Sequence, residues 1–278
     1  MTAGVLYVVA TPIGNLGDIS ARALRILSEV AAIAAEDTRH SAQLLQYFSI
    51  QRPLIALHEH NEAAQVEHLI ARLHGGDSLA LISDAGTPLI SDPGFRLVSA
   101  AHAAQLPVRT VPGASAAMAA LSVAGQASDR FVFEGFLPAK SAARRSRLQE
   151  LEPERRSLIF YEAPHRLQET LDDMLAVLGQ RSITLCRELT KTFETVLRMD
   201  LADLCARVRE DEDQRRGEIV LVLEGCLQVS TPVAEHHRVL DVLLQDLPVS
   251  QAASLAARLT GGRRKWFYEE ALARANRT

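Results

Sequence analysis

Five short segments hold the residues best suited to chemistry: Ala10–Asn15 (ATPIGN), Glu36–Ser41 (EDTRHS), His58–Glu62 (HEHNE), Ser83–Gly94 (SDAGTPLISDPG) and Pro112–Ala116 (PGASA). Each follows a short apolar run. In open α/β sheets, ligands bind outside the carboxyl ends of the strands, so these positions would meet a ligand. Three of the five combine proline with glycine, which leaves main-chain N–H and C=O groups facing outward in place of long side chains. No GxxxxGK(S/T) occurs, and the first apolar run leads into Thr-Pro-Ile-Gly rather than GxGxxG, which disfavours a nucleoside triphosphate or dinucleotide. S-adenosylmethionine carries no phosphate. It presents an adenine edge, ribose hydroxyls, an amino-acid end and a sulfonium attracted to carbonyl oxygens, and exposed backbone with Asp84, Thr87 and Ser115 supplies matching donors and acceptors. His58 and His60 do not match HExxH, and no cysteine or second histidine pair accompanies them, so no metal site is expected.

The elements that must position these segments follow from periodicity. From residue 5 to residue 124, apolar runs alternate with helix-period stretches, giving five strand-helix units joined by right-handed crossovers and a mainly parallel sheet. In the third helix Val66, Leu69, Ile70 and Leu73 share one face, Asn61 is placed to cap the start and Gly75-Gly76 to stop it. A second alternating set follows, in which strands near 183–187 and 193–198 adjoin without a helix between them, so a mixed sheet with an antiparallel pair is expected. A polar stretch at Gln228–Pro232 leads to three short helices, with Gly261-Gly262 making the last turn. The fold class is therefore α/β. The expected divisions are an N-terminal α/β domain at 1–125 with a parallel five-stranded sheet, a second α/β domain at 126–228 with a mixed sheet, and a helical, helix-turn-helix-like tail at 233–278.

Composition narrows the class. Hydrophobic residues make up 47% and charged residues 23% of 278 positions, enough apolar material for a sizeable core. The three cysteines, Cys186, Cys205 and Cys226, are widely spaced and form no CxxC, so reduced thiols are expected. No apolar run is long enough to span a bilayer and the N-terminus lacks a signal-peptide pattern, which places the chain in the cytoplasm with no membrane partner. A net charge of -4 argues against a general basic coat for nucleic acid, so RNA contacts must come from local patches. KSAARRSR, residues 140–147, is one such patch, with Lys140, Arg144 and Arg145 as candidates. RRKWFYEE in the tail is another, where Arg263, Arg264 and Lys265 precede three aromatics able to stack on bases or to close a small core.

Nine collinear blocks carry a family likeness: LYVVATPIGNLGDIS, IAAEDTRHS, ALHEHNE, ISDAGTPLISDPG, VPGASA, DRFVFEGFLPAK, LIFYEAPHR, CRELTKTFE and RGEIVLVLEG. They resemble the ordered motifs of the small-subunit ribosomal RNA methyltransferases in the tetrapyrrole methylase superfamily. Only Ala163, where many relatives have serine, departs from the pattern. The resemblance implies a donor cleft between two α/β domains, a homodimer, and transfer of a methyl group from S-adenosyl-L-methionine to the ribose 2'-hydroxyl of a cytidine in the decoding region of 16S rRNA, with the 30S subunit as partner. Carried residue by residue, it places Asp84, Gly86, Thr87, Ser115 and Ala116 against the donor, Pro12 and Ile13 on the cleft floor and Tyr161 in the opposite wall. Arg39 and Arg166, in the EDTRHS and FYEAPHR blocks, join the RNA candidates.

A ribose hydroxyl is a poor nucleophile at neutral pH, so a base beside it or a cation for the emerging alkoxide would help. Glu36, Asp37, Glu162, His165 and Lys191 are the candidates; helix capping, a pair with Arg166, or a phosphate contact are their alternative duties. Two other functions compete: methylation of a small tetrapyrrole-like substrate, and a non-catalytic ribosome assembly factor.

Overall fold

LYVV, AIAA and LALI are apolar along their whole length because strands in a parallel sheet are covered on both faces. In the computed structural model, which describes residues 3–58, 61–227 and 232–275, they become β1 (Leu6–Val9), β2 (Ala32–Ala35) and β4 (Leu79–Ile82). With β3 (Leu54–Ala56) and β5 (Val108–Val111) they form one parallel sheet of order β3-β2-β4-β1-β5. The helices between them are α1 (Ala21–Glu29), α2 (Thr38–Tyr47), α3 (Glu62–His74), α4 (Phe95–Ala103) and α5 (Ala116–Val123). Because β4, β1 and β5 are neighbours, the three proline- and glycine-containing segments emerge side by side, and EDTRHS joins them from β2. HEHNE follows the edge strand β3, and its Glu59 and His60 lie outside the described residues.

Local chemistry fixes the helix starts. The Ser20 hydroxyl accepts from Ala23 N at 3.0 Å at the start of α1, and the Asp37 carboxylate accepts from Arg39 N at 2.8 Å at the start of α2. Asn61 behaves otherwise than its position suggests. Its side chain accepts from His58 N and donates to the Ala56 carbonyl, closing the loop before α3 instead of capping it. The next residue, Glu62, is buried and accepts from Arg96 N and Leu97 N at 2.8 and 3.2 Å, so it caps α4 from a distance.

The second sheet has order β6-β7-β10-β8-β9, from β6 (Phe131–Phe136), β7 (Ser157–Glu162), β8 (Ser182–Arg187), β9 (Thr195–Asp200) and β10 (Ile219–Leu223). Only β6 and β7 run parallel; β8 and β9 form the adjoining antiparallel pair. Helices α6 (Ser141–Leu151), α7 (Leu167–Leu178) and α8 (Leu201–Glu210) complete this half. Both sheets lie within one compact unit, residues 1–225. Helix α5 joins them: its Ala117, Ala120 and Leu121, with Ala124 just past its end, share a core with Ile159, Cys186 and Val220 of the second sheet.

The other unit, residues 226–278, holds α9 (Pro232–Asp246), α10 (Val249–Thr260) and α11 (Arg264–Ala275). Gly261 ends α10 in the left-handed region at φ 72°. Leu240, Ala252, Ala253, Ala256, Phe267 and Ala271 form its core. Most of the polar stretch expected at 228–232 lies outside the described residues. Among the described residues no helix is long and apolar enough to cross a membrane.

Candidate active site

The strand-end segments are bound to one another mainly through their backbones. Thr11 N donates to the Gly86 carbonyl at 2.8 Å and Gly86 N returns a bond to the Thr11 carbonyl at 3.1 Å. The Thr87 hydroxyl donates to the Ala114 carbonyl at 2.9 Å, tying the β4 segment to the β5 segment. Gly86 sits at φ +83°, where side chains are disfavoured, and a Cβ there would lie 3.2 Å from Ile13 Cγ2.

A cavity of about 430 Å³ opens over this cradle. Ile13, Asp84, Gly86, Thr87, Ser115 and Ala116 line it from the first half, and Tyr161 from the second. Pro12 is buried and is not among the residues that line it. Cys186, Leu189, Ile219 and Val220 give the second half an apolar wall, and burial pushes the Cys186 thiol up to about 12, so it is a small apolar surface there. Tyr161 links the halves. Its hydroxyl accepts from Ala117 N in the first turn of α5 at 3.2 Å, and burial raises its pKa. Tyr161→Phe leaves that N–H unpaired and should cost about 1–3 kcal/mol, read as a lower denaturation midpoint.

The base candidates separate cleanly. Asp37 is spent on the α2 cap, and hydrogen bonds from Arg39 hold it below the usual carboxylate range. Glu162 is 3% exposed, and its oxygens take Thr170 Oγ1 at 2.5 Å and Ala163 N at 2.8 Å, with Arg166 Nε at 3.3 Å. Lys191 Nζ lies 2.9 Å from Glu188 and 3.1 Å from Glu218; burial alone would lower its pKa, but these partners raise it, so it remains a cation. Its stem crosses Gly14, where a Cβ would come within 2.4 Å of Lys191 Cγ. Glu36 alone combines a place on the cavity wall with a raised pKa, caused first by burial and then by the charges of Asp92, Asp84 and Asp37. His165 is exposed in the turn after β7.

The basic candidates divide too. Arg144 is 1% exposed, with Nε 2.7 Å from Asp173 and Nη1 3.2 Å from the Ala139 carbonyl, so it has no surface to offer a phosphate. Burial has turned that member of the basic patch into a core residue. Arg166 is almost as fully engaged, donating to the Leu137 carbonyl at 2.7 Å beside its contact with Glu162. Lys140, Arg39, Arg263, Arg264 and Lys265 are exposed, and Arg145 is half exposed while paired with Asp173. In the tail Phe267 is fully buried and Trp266 stacks on His237 at 5.3 Å, so two of the three aromatics build that unit's core.

Several lining residues carried no assigned role from sequence, Asp92, Glu218 and Phe136 among them. Asp92, whose carboxyl is raised by burial and by Asp84, belongs to the second Ser-Asp of SDAGTPLISDPG, and that repeated pair was the available signal. Glu218 and Phe136 line the cavity from the second half.

Comparison with known proteins agrees over the whole chain. Residues 5–205 match the family described as tetrapyrrole (corrin/porphyrin) methylases, and residues 230–275 match the RsmI C-terminal HTH domain. A protein of Pseudomonas aeruginosa named ribosomal RNA small subunit methyltransferase I is 57% identical, with 100% of both chains covered. One of the same name from Escherichia coli O157:H7 is 51% identical over 97% of this chain and 95% of that one. Among solved structures, uroporphyrin-III-C-methyltransferase from Thermus thermophilus superposes with a TM-score of 0.56 at 20% identity, covering 80% of this chain and 94% of that one. Diphthine synthase does so with a TM-score of 0.59 at 14% identity, covering 79% and 89%. At those identities the likeness concerns the fold.

Proposed function

The chain belongs to the tetrapyrrole methylase family and, within it, to the small-subunit ribosomal RNA methyltransferases I, and on that premise we propose that it methylates the ribose 2'-oxygen of a cytidine in the decoding region of 16S rRNA. The donor is S-adenosylmethionine. The observation that carries the reading is the two-sided cavity, with a backbone cradle and carboxylates on one side and an apolar wall on the other.

These residues fit a cationic nucleoside. Asp84, Asp92 and Glu36 supply negative charge, Ser115 at the start of α5 has no capping bond to occupy its hydroxyl, and Cys186, Leu189 and Val220 suit an apolar ring face. When bound, S-adenosylmethionine supplies a methyl group already activated by its sulfonium. The chain's own task is to place and deprotonate the hydroxyl. Glu36, whose carboxyl keeps its proton to higher pH than an ordinary one, would in its deprotonated form accept the 2'-hydroxyl proton on a carboxylate oxygen. Lys191, kept charged by Glu188 and by the cavity-lining Glu218, is a cation for the emerging negative charge or a neighbouring phosphate. The closed contact of Tyr161 with α5 holds the walls together.

We place the enzyme as a homodimer acting on the 30S subunit. The exposed trio Arg263, Arg264 and Lys265 supports phosphate contacts by the tail. Changing all three to alanine should weaken subunit binding and flatten its log–log salt dependence by roughly 0.7 to 0.9 for each phosphate no longer neutralised, measured by filter binding across a salt series. The decisive experiment is transfer from labelled S-adenosylmethionine to 30S subunits lacking the endogenous modification, with the labelled nucleotide identified by nuclease digestion and mass spectrometry. A single 2'-O-methylcytidine is expected. Donor binding without any label on rRNA would return a small tetrapyrrole-like acceptor to consideration; absence of donor binding would favour an assembly factor.

A further inference from the structure

We propose that Phe136 is the platform on which the acceptor nucleobase stacks while its ribose enters the cavity. The inference rests on the RNA-methylating reading above and adds a substrate-positioning residue to it. A nucleoside reaches an enclosed donor only if its base leaves the RNA stack, and unstacked bases settle on aromatic faces.

Phe136 lines the cavity yet is 56% exposed, at the end of the sheet's edge strand β6. The main chain is built to put it there. In a regular strand, residues 133 and 136 would point to opposite faces. The pairing of β6 with β7 shifts register between Phe133 and Gly135, and as a result both phenylalanines meet the same ring: Phe133 lies 4.9 Å from Tyr161 and Phe136 lies 5.7 Å from it, both edge-on. Such bulges re-aim side chains beside active sites.

The irregularity is maintained at a cost. Gly135 sits at φ +63°, and a Cβ there would lie 3.0 Å from Ser91 Oγ. Ser91 and Leu89, in the donor-side loop facing it, are themselves in the left-handed region at φ 69° and 73°. Left-handed main chain from both halves therefore meets beside the rim where Phe136 is displayed. Tyr161, edge-on to the ring, fixes its plane before substrate arrives, so little rotamer freedom remains to be lost on stacking. A π-face accepts any base, so Phe136 contributes position and affinity without choosing cytosine.

The test compares Phe136→Ala, Phe136→Leu and Phe136→Tyr with wild type, measuring donor affinity by calorimetry, melting temperature, and kcat and KM for methyl transfer to 30S subunits. Phe136→Ala should lose about 5- to 150-fold in kcat/KM for subunits with donor affinity and melting temperature held, Phe136→Tyr should recover most of that loss, and Phe136→Leu should not. Equal rescue by leucine, no loss in the alanine variant, or a parallel fall in donor affinity would each overturn the stacking role. Wild-type protein that binds donor but leaves rRNA unlabelled would instead overturn the functional reading, and this inference with it.

Discussion

Glu36→Gln should lower single-turnover methyl transfer by about 10²- to 10⁴-fold, the usual span for a lost general base, with a much smaller change in donor affinity. The reason is the place of Glu36 among the bases expected from sequence: Asp37 caps a helix and Glu162 is locked to Thr170 and Ala163, so of these carboxyls Glu36 has both a place on the cavity wall and a raised pKa, a state that Asp92 shares. The pH profile gives the sign. A base works deprotonated, so the wild-type rate should rise with pH and level off above the raised Glu36 pKa, while the glutamine variant loses that limb. Stability should move the opposite way. A carboxyl raised in the folded state stabilises below its unfolded pKa, and that contribution is lost as pH rises through the folded value. At neutral pH the charged Glu36 is thus a burden beside Asp92 and Asp84, and the glutamine variant should melt slightly higher than wild type. A lower melting temperature would mark Glu36 as structural.

The second large effect concerns folding. Asp173 on α7 accepts from Arg144 Nε at 2.7 Å, Arg145 Nε at 2.6 Å and Ser141 Oγ at 2.9 Å, binding the start of α6 to α7. Asp173→Ala takes from the buried Arg144 its short ion pair and leaves it the longer contact with Glu169 at 3.6 Å and the Ala139 carbonyl, so the loss falls at the lower end of the roughly 3–5 kcal/mol for breaking a buried pair. In a unit of this size that corresponds to a melting temperature lower by roughly 10 °C, measurable by calorimetry at neutral pH. Burial alone would raise the Asp173 carboxyl, but its hydrogen bonds from Arg145, Arg144 and Ser141 outweigh this and hold it low. Its stabilisation is therefore present above the unfolded pKa and lost as pH falls through the lowered folded value. Wild type should lose more stability than the variant on acidification, and equal losses would contradict the assignment.

What sequence could reveal here was set by range. Continuous apolar runs betray strands covered on both faces, and the proline- and glycine-containing segments behind them betray a ligand edge, so both sheets were legible and seven of the eight positions expected at the donor line the cavity. The order of the strands was not legible, since crossovers do not announce which neighbour a strand joins; that order sends HEHNE to the sheet margin. Long-range partners were equally hidden. KSAARRSR reads as a uniform basic face, yet one face of α6, carrying Arg144, Leu148 and Leu151, is buried, and the aspartate receiving Arg144 stands 29 positions later. Aromatics 266–268 were ambiguous because stacking on bases and closing a three-helix core require the same residues. Phe136 escaped notice because a bulge overrides alternation, and alternation is what a strand's sequence records.

The reciprocal hydrogen bonds between Thr11 and Gly86 use no side-chain atom. Drift at positions other than Thr11, Gly86 and Thr87 therefore leaves the contour of that cradle largely intact, whereas the opposite wall, made of Cys186, Leu189, Ile219, Val220 and Phe136, is written in side chains. One half of the pocket is heritable as a shape and the other as a vocabulary. A molecule built this way can change which acceptor it favours by altering Phe136 at the rim, while the backbone cradle and the apolar residues beside it are kept.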